Sequence, residues 1–169
     1  DAQVSRVEAK AAIEEATAIR EKEAKAHAKV KSDAESNIGA LDKAIPAIEK
    51  GMGGAFLQTS AASVLQQLSV NAEMIPADRD LLASFLEGGD KYAPASGQIV
   101  GILKTMHDEM TKDFNDATAE ENEAIASFEG LVASKKKEID ALTKAVESKT
   151  MRIGELGVKI AEMENDLED

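Results

Sequence analysis

The chain has 169 residues, of which 20 are basic and 32 acidic, so its formal net charge is −12. This acidity argues against roles that depend on a basic surface, such as nucleic-acid binding. Cysteine is absent, which excludes disulfides, thiol nucleophiles and cysteine–metal sites, and no apolar run approaches the roughly 20 residues that span a bilayer.

The composition also limits the size of the hydrophobic core. Hydrophobic residues make up 43% of the chain, but 29 of the 169 residues are alanine, which favours helix and buries little surface. Aromatic side chains are limited to four phenylalanines and one tyrosine. We therefore expect narrow contacts between helices rather than a wide core.

The first 50 residues have the pattern of one long helix. Apart from Glu23, apolar or small residues occupy positions three or four apart between residues 12 and 52, a spacing that keeps one helix face mostly apolar. Pro46 lies inside this pattern, and we expect a kink or an early helix end near residues 44–45. Gly51 follows, and glycine readily adopts the left-handed conformation that ends helices. Residues 1–50 are therefore predicted to form a first long helical arm.

Residues 51–98 contain only short apolar segments, separated by residues that favour turns. Pro76 predicts the start of a helix, and the glycine pair at 88–89 predicts its stop. Ser96 is suited to cap the helix that follows a short loop. The pattern predicts two or three short helices packed as a small knob.

Residues 99–169 form the longest periodic segment of the chain. From Ile99 to Leu167 the apolar stripe advances in steps of three and four, and no proline interrupts it. A helix of that length would extend about 100 Å at about 1.5 Å per residue. Because no compact core of this chain length could enclose it, we predict a second, longer helical arm.

Together these segments predict an all-α fold with two long coiled-coil arms. The knob offers room for a chain reversal, so we expect the arms to form an antiparallel hairpin with the knob between them. The second arm is about 20 residues longer than the first, which would leave an apolar seam about 30 Å long without an internal partner. The predicted geometry therefore favours self-association.

The sequence offers no motif for catalysis. His27 and His107 are the only histidines and lie on different arms, and we expect both to be solvated surface residues. No glycine-rich phosphate loop, serine elbow or paired-histidine metal motif is present. We therefore predict that the protein is not an enzyme and has neither catalytic nor cofactor-binding residues.

Carboxylates are the only candidates for a ligand site. Residues 99–129 contain eight acids and two lysines, which gives this segment a charge of −6. No EF-hand loop is present, so calcium, the one candidate cofactor, would bind weakly and between molecules. The alternative is that these acids form a solvated helix face. The candidate calcium ligands are Asp108, Glu109, Asp113, Asp116, Glu120, Glu121 and Glu123.

Two runs in the second arm carry a family resemblance. The run IVGILKTMHDEMTKDF at 99–114 and the run EENEAIASFE at 120–129 resemble the trichocyst matrix proteins, the crystalline core proteins of extrusive organelles in ciliates and related protists, which are similar to granule lattice proteins. The shared pattern is an aliphatic start, an acidic Asp-Glu-Met turn, and a Glu-Glu pair leading into Phe-Glu.

This resemblance implies an acidic polypeptide cut from a larger precursor and packed in order inside a secretory granule. It also implies partners that are further copies or related matrix proteins, calcium-linked expansion on discharge, and an extracellular location afterwards. It carries over no catalytic residue.

The residues leave two other functions open. A coiled-coil adaptor or signalling hairpin would form a discrete oligomer, whereas a lattice protein would form ordered filaments. A lipid-surface helix is less favoured, because its polar face should be rich in lysine and arginine, and acids dominate here.

Overall fold

A computed structural model describes residues 1–71, 74–88 and 96–168, and these residues form helices and no strand. The predicted all-α class is therefore confirmed. The helices in this part of the chain are α1 (Ala2–Glu49), α2 (Gly53–Phe56), α3 (Ser60–Asn71), α4 (Pro76–Gly88) and α5 (Ser96–Glu168). The loop before the second arm is predicted at residues 92–97; its last two residues already belong to α5, and residues 92–95 lie outside the described chain. The predicted cap by the Ser96 side chain lies outside the described side chains.

Helix α1 ends at the glycine that the sequence indicates. Gly51 has a φ of 73°, in the left-handed region where a side chain would be strained. Its N–H donates to the carbonyl of Ile48 at 3.0 Å, and the N–H of Met52 donates to the carbonyl of Ala47 at 2.7 Å. These two hydrogen bonds form a Schellman motif, which satisfies carbonyls that the helix end would otherwise leave unpaired.

The early helix end predicted at Pro46 is wrong. Helix α1 continues through Pro46 to Glu49, and the N–H of Lys50 donates to the Pro46 carbonyl at 3.1 Å. Proline removes one hydrogen bond, to the carbonyl of residue 42. That loss falls in the last turn, where Ala44 and Ile48 are buried in the core and offset it.

The chain divides into two compact units. The unit of residues 25–121 contains the main hydrophobic core. Its largest fully buried side chains come from four helices: Leu41 of α1, Leu65 of α3, Leu82 of α4, and Ile99 and Leu103 of α5. Each such side chain contributes roughly 1.5–3 kcal/mol on burial. The short middle helices therefore share one core with the adjoining ends of the long ones.

The other unit combines residues 1–24 with residues 122–169 and buries little. Among its described residues, Ala9 and Arg20 are buried, and the Arg20 guanidinium donates to Glu23 at 2.6 Å. The apolar stripe of α5 is half-buried at Phe128, Ile139 and Val146 and is exposed at every described position after Val146. This exposure agrees with the uncovered seam that the sequence pattern predicts.

Candidate interaction surfaces

His107 lies in a groove of the 25–121 unit, beside carboxylates from two helices. Its Nε2 is 3.1 Å from Asp42 Oδ1, its Nδ1 is 3.5 Å from Asp108 Oδ1, and its side chain is 28% exposed. The groove has a volume of about 350 Å³ and is also lined by Pro46 and Lys104. His107 is therefore only partly solvated, and the expectation of a solvated surface histidine did not include its contact with a carboxylate of α1.

A second polar contact joins α1 and α5 in the same unit. Lys104 Nζ donates to Glu49 Oε1 at 2.7 Å. Both side chains are about half exposed, so the pair stabilises the contact by only about 0.2–1 kcal/mol. Sequence reasoning missed this pair and the His107–Asp42 contact. No local spacing signals them, because each joins residues more than 50 positions apart.

His27 also departs from the expected solvated position. Its Nε2 is buried and has no hydrogen-bond partner among the described residues. The residue as a whole is partly buried. No feature of the sequence around His27 indicates that burial.

The predicted calcium ligands do not converge on one point. Within the described residues, no group of three or more His, Asp or Glu side chains is arranged to hold a metal ion. Lys112 Nζ donates to Asp116 Oδ2 at 2.9 Å. This hydrogen bond, together with the negative charges of Asp116 and Asp113, raises the pKa of Lys112 above its ordinary 10.5. Among the candidates, Asp108 lies beside the imidazole of His107 and Asp116 beside the ammonium group of Lys112.

A carboxylate that the sequence did not single out lies near the acidic segment. Asp33 of α1 and Asp113 of α5 line one shallow groove of about 280 Å³, together with Val30, Asn37 and Phe114. Only the packing of the two helices in the 25–121 unit brings these acids to the same groove. Two carboxylates are fewer than the six to eight oxygen ligands that calcium takes, so further ligands would have to come from outside this groove.

The last 20 described residues of α5 carry the most extensive exposed apolar surface. We define the exposed seam as five side chains that recur every three or four positions: Ile153, Leu156, Ile160, Met163 and Leu167, which are 71%, 46%, 52%, 56% and 86% exposed. Met151 and Val158 are also exposed, on the opposite side of the helix. An apolar stripe of this length on a helix marks an interaction surface.

The comparisons with known proteins give one family. The family model described as trichocyst matrix protein T1-F matches residues 2–169. No curated protein and no solved structure matches the chain. Across the described residues, none of the helices combines the length and the apolar character needed to cross a membrane.

Proposed function

The chain belongs to the trichocyst matrix protein T1-F family, and from this premise we propose that it is a structural protein of the trichocyst matrix that assembles through its helix seams. The observation that carries the proposal is the exposed seam of α5, with five large apolar side chains that have no partner within the described chain. Such a surface is costly to leave in water and suits a protein whose role is to pack against others. An enzymatic role does not fit this family.

The assembling unit is proposed to contain the two long helices as an antiparallel hairpin. Two polar contacts in the 25–121 unit support this arrangement. Residue 104 contacts residue 49 and residue 107 contacts residue 42, so the contact positions rise along α5 as they fall along α1. In this proposal residues 1–50 and 99–169 are the two arms and residues 51–98 the knob.

The proposed location is the lumen of the secretory organelle, and the extracellular space after discharge. The partners are further copies of this chain or related matrix proteins. The family supports this placement, and the net charge of −12 suits a densely packed content that gathers counterions.

Calcium is proposed to change how neighbouring molecules pack, by bridging carboxylates of different chains. The acidic segment of α5 supports this, because residues 99–129 carry a charge of −6 and its acids at 109, 113, 120 and 123 are exposed. Repulsion between exposed like charges is screened only beyond about 8–10 Å at physiological salt. Close packing of this segment against another chain therefore requires a cation or a basic surface.

Electron microscopy of the purified full chain with and without calcium tests the assembly. Ordered filaments or arrays are expected, and a change in their spacing on calcium addition would support calcium-sensitive packing. A discrete dimer or tetramer under every condition would contradict the lattice role and favour the coiled-coil adaptor.

A charge-neutralised variant tests the acidic segment. Replacing Glu109, Asp113, Glu120 and Glu123 by Gln or Asn should remove the calcium response while circular dichroism stays unchanged. This set spares Asp116, which Lys112 contacts. The matched control replaces four exposed acids of α1, and equal effects of the two variants would mean that only net charge matters. The control positions are Glu8, Glu14, Glu15 and Glu21.

A further inference from the structure

The charges beside the exposed seam are distributed unevenly along α5. Residues 149–159 contain three basic side chains and one acid, a net charge of +2, whereas residues 160–167 contain three acids and no basic residue, a net charge of −3. All of these side chains are exposed. A second copy running parallel and in register would place −3 against −3. In an antiparallel copy residues 160–167 face residues 149–156, which carry Lys149, Arg152 and Glu155, so −3 lies against +1 in both halves of the contact.

The spacing of the seam fits the antiparallel register. With a two-fold axis at residue 158, Ile153 faces Met163 of the second copy and Leu156 faces Ile160 of the second copy. These pairs follow the layer pattern of coiled coils, in which side chains at the two apolar heptad positions interlock. Each contact is then formed twice, as a two-fold interface requires.

Polar neighbours of the seam agree with the same register. Arg152 precedes the Ile153 layer and would lie beside Asp166 of the second copy, once at each end of the contact. Gly157 lies near the axis, where no atom occurs within 4 Å of the position that a Cβ would take. Its missing side chain lets the two backbones approach closely. Two meetings are less favourable in this register: Lys159 faces its own counterpart, and Leu167 faces Lys149 of the second copy.

We propose that a second copy of this chain docks antiparallel on the exposed seam, with its axis at residue 158. The proposal rests on the structural role inferred above and names one contact through which the assembly grows. The seam from Ile153 to Leu167 covers about two heptads and about 21 Å of helix, so a single contact is weak, and several contacts in an array reinforce one another.

Disulfide cross-linking of the full chain tests the register. The chain has no cysteine, so introduced thiols report only their own positions. An equal mixture of Ile153→Cys and Met163→Cys chains should form the mixed dimer at least ten-fold more than a mixture of Met151→Cys and Val158→Cys. That control pair is similarly exposed but points away from the proposed contact. Equal yields would overturn the docking, and self-linking of Ile153→Cys in preference to the mixed dimer would show parallel docking instead.

A charge exchange gives an independent test. Arg152→Glu and Asp166→Lys should each weaken dimer formation several-fold in sedimentation equilibrium, and the double variant should restore it. Residues 152 and 166 are about 21 Å apart along one helix, so rescue requires contact between two chains. A double variant weaker than both single variants would overturn the proposed pairing.

These tests separate the docking contact from the lattice role. Ordered arrays without the mixed cross-link would overturn the docking contact and leave the structural role intact. Cross-linked pairs without ordered arrays would support the contact and contradict the lattice role.

Discussion

Leu103 and Leu156 allow one substitution to be compared at two positions of the same helical stripe. Leu103 is fully buried among the side chains of four helices, whereas Leu156 is 46% exposed. Truncating a buried leucine to alanine removes its transfer free energy and leaves a cavity, which costs about 2–5 kcal/mol. Helix propensity slightly favours alanine at both positions, so it does not contribute to the difference.

In the monomeric chain we therefore expect Leu103→Ala to lower the free energy of unfolding by about 2–5 kcal/mol. Leu156→Ala should change it by less than about 0.5 kcal/mol, as is usual for exposed positions. Urea unfolding followed by circular dichroism measures the loss at low protein concentration. Hydrogen exchange assigns it to the unit of residues 25–121, which contains Leu103.

For assembly, the order of the two effects should be reversed. Leu156→Ala should weaken association through the exposed seam, while Leu103→Ala should affect it only through folding. Equal losses of stability in the two variants would refute the argument, since they would mean that Leu156 is as well packed as Leu103 in a single chain.

Two further predictions concern local energetics. Gly130→Ala should raise the free energy of unfolding by about 0.5–1 kcal/mol, because the site is helical with open space around the added Cβ. Gly51→Ala should lower the free energy of unfolding by about 1–2 kcal/mol because Gly51 has a positive φ. Thermal unfolding of the two variants measures both changes. If both variants shifted the stability in the same direction, the backbone conformation assigned to Gly51 would be contradicted. A double-mutant cycle on Glu49 and Lys104 should give a coupling of about 0.2–1 kcal/mol that falls in 1 M salt. A coupling independent of salt would exclude an exposed ion pair.

The predicted site residues depended on tertiary structure to different degrees. Clustering of the acids between residues 108 and 123 is visible in the sequence, as is the four-residue spacing of Lys112 and Asp116. The sequence does not show that Asp33 lies in the same groove as Asp113, or that Asp42 contacts His107. These pairs depend on the register between α1 and α5, which is set by packing across a separation of many residues.

The helices themselves were largely determined by local sequence. Helical hydrogen bonds join residues four positions apart, and the apolar stripe advances in steps of three and four. The stop at Gly51 is equally local. The all-α class and the end of α1 therefore follow from the sequence. The early helix end predicted at Pro46 was wrong because burial of Ala44 and Ile48 outweighs one lost hydrogen bond.

Tertiary structure alone decided which part of the stripe is buried. Leu103 and Leu156 have the same spacing and the same side chain, so no local rule separates them. Their burial differs because the middle helices and α1 supply partner side chains around Leu103, while the described chain supplies none that covers Leu156. Burial depends on the atoms that surround a side chain, and sequence periodicity describes only the helix that carries it.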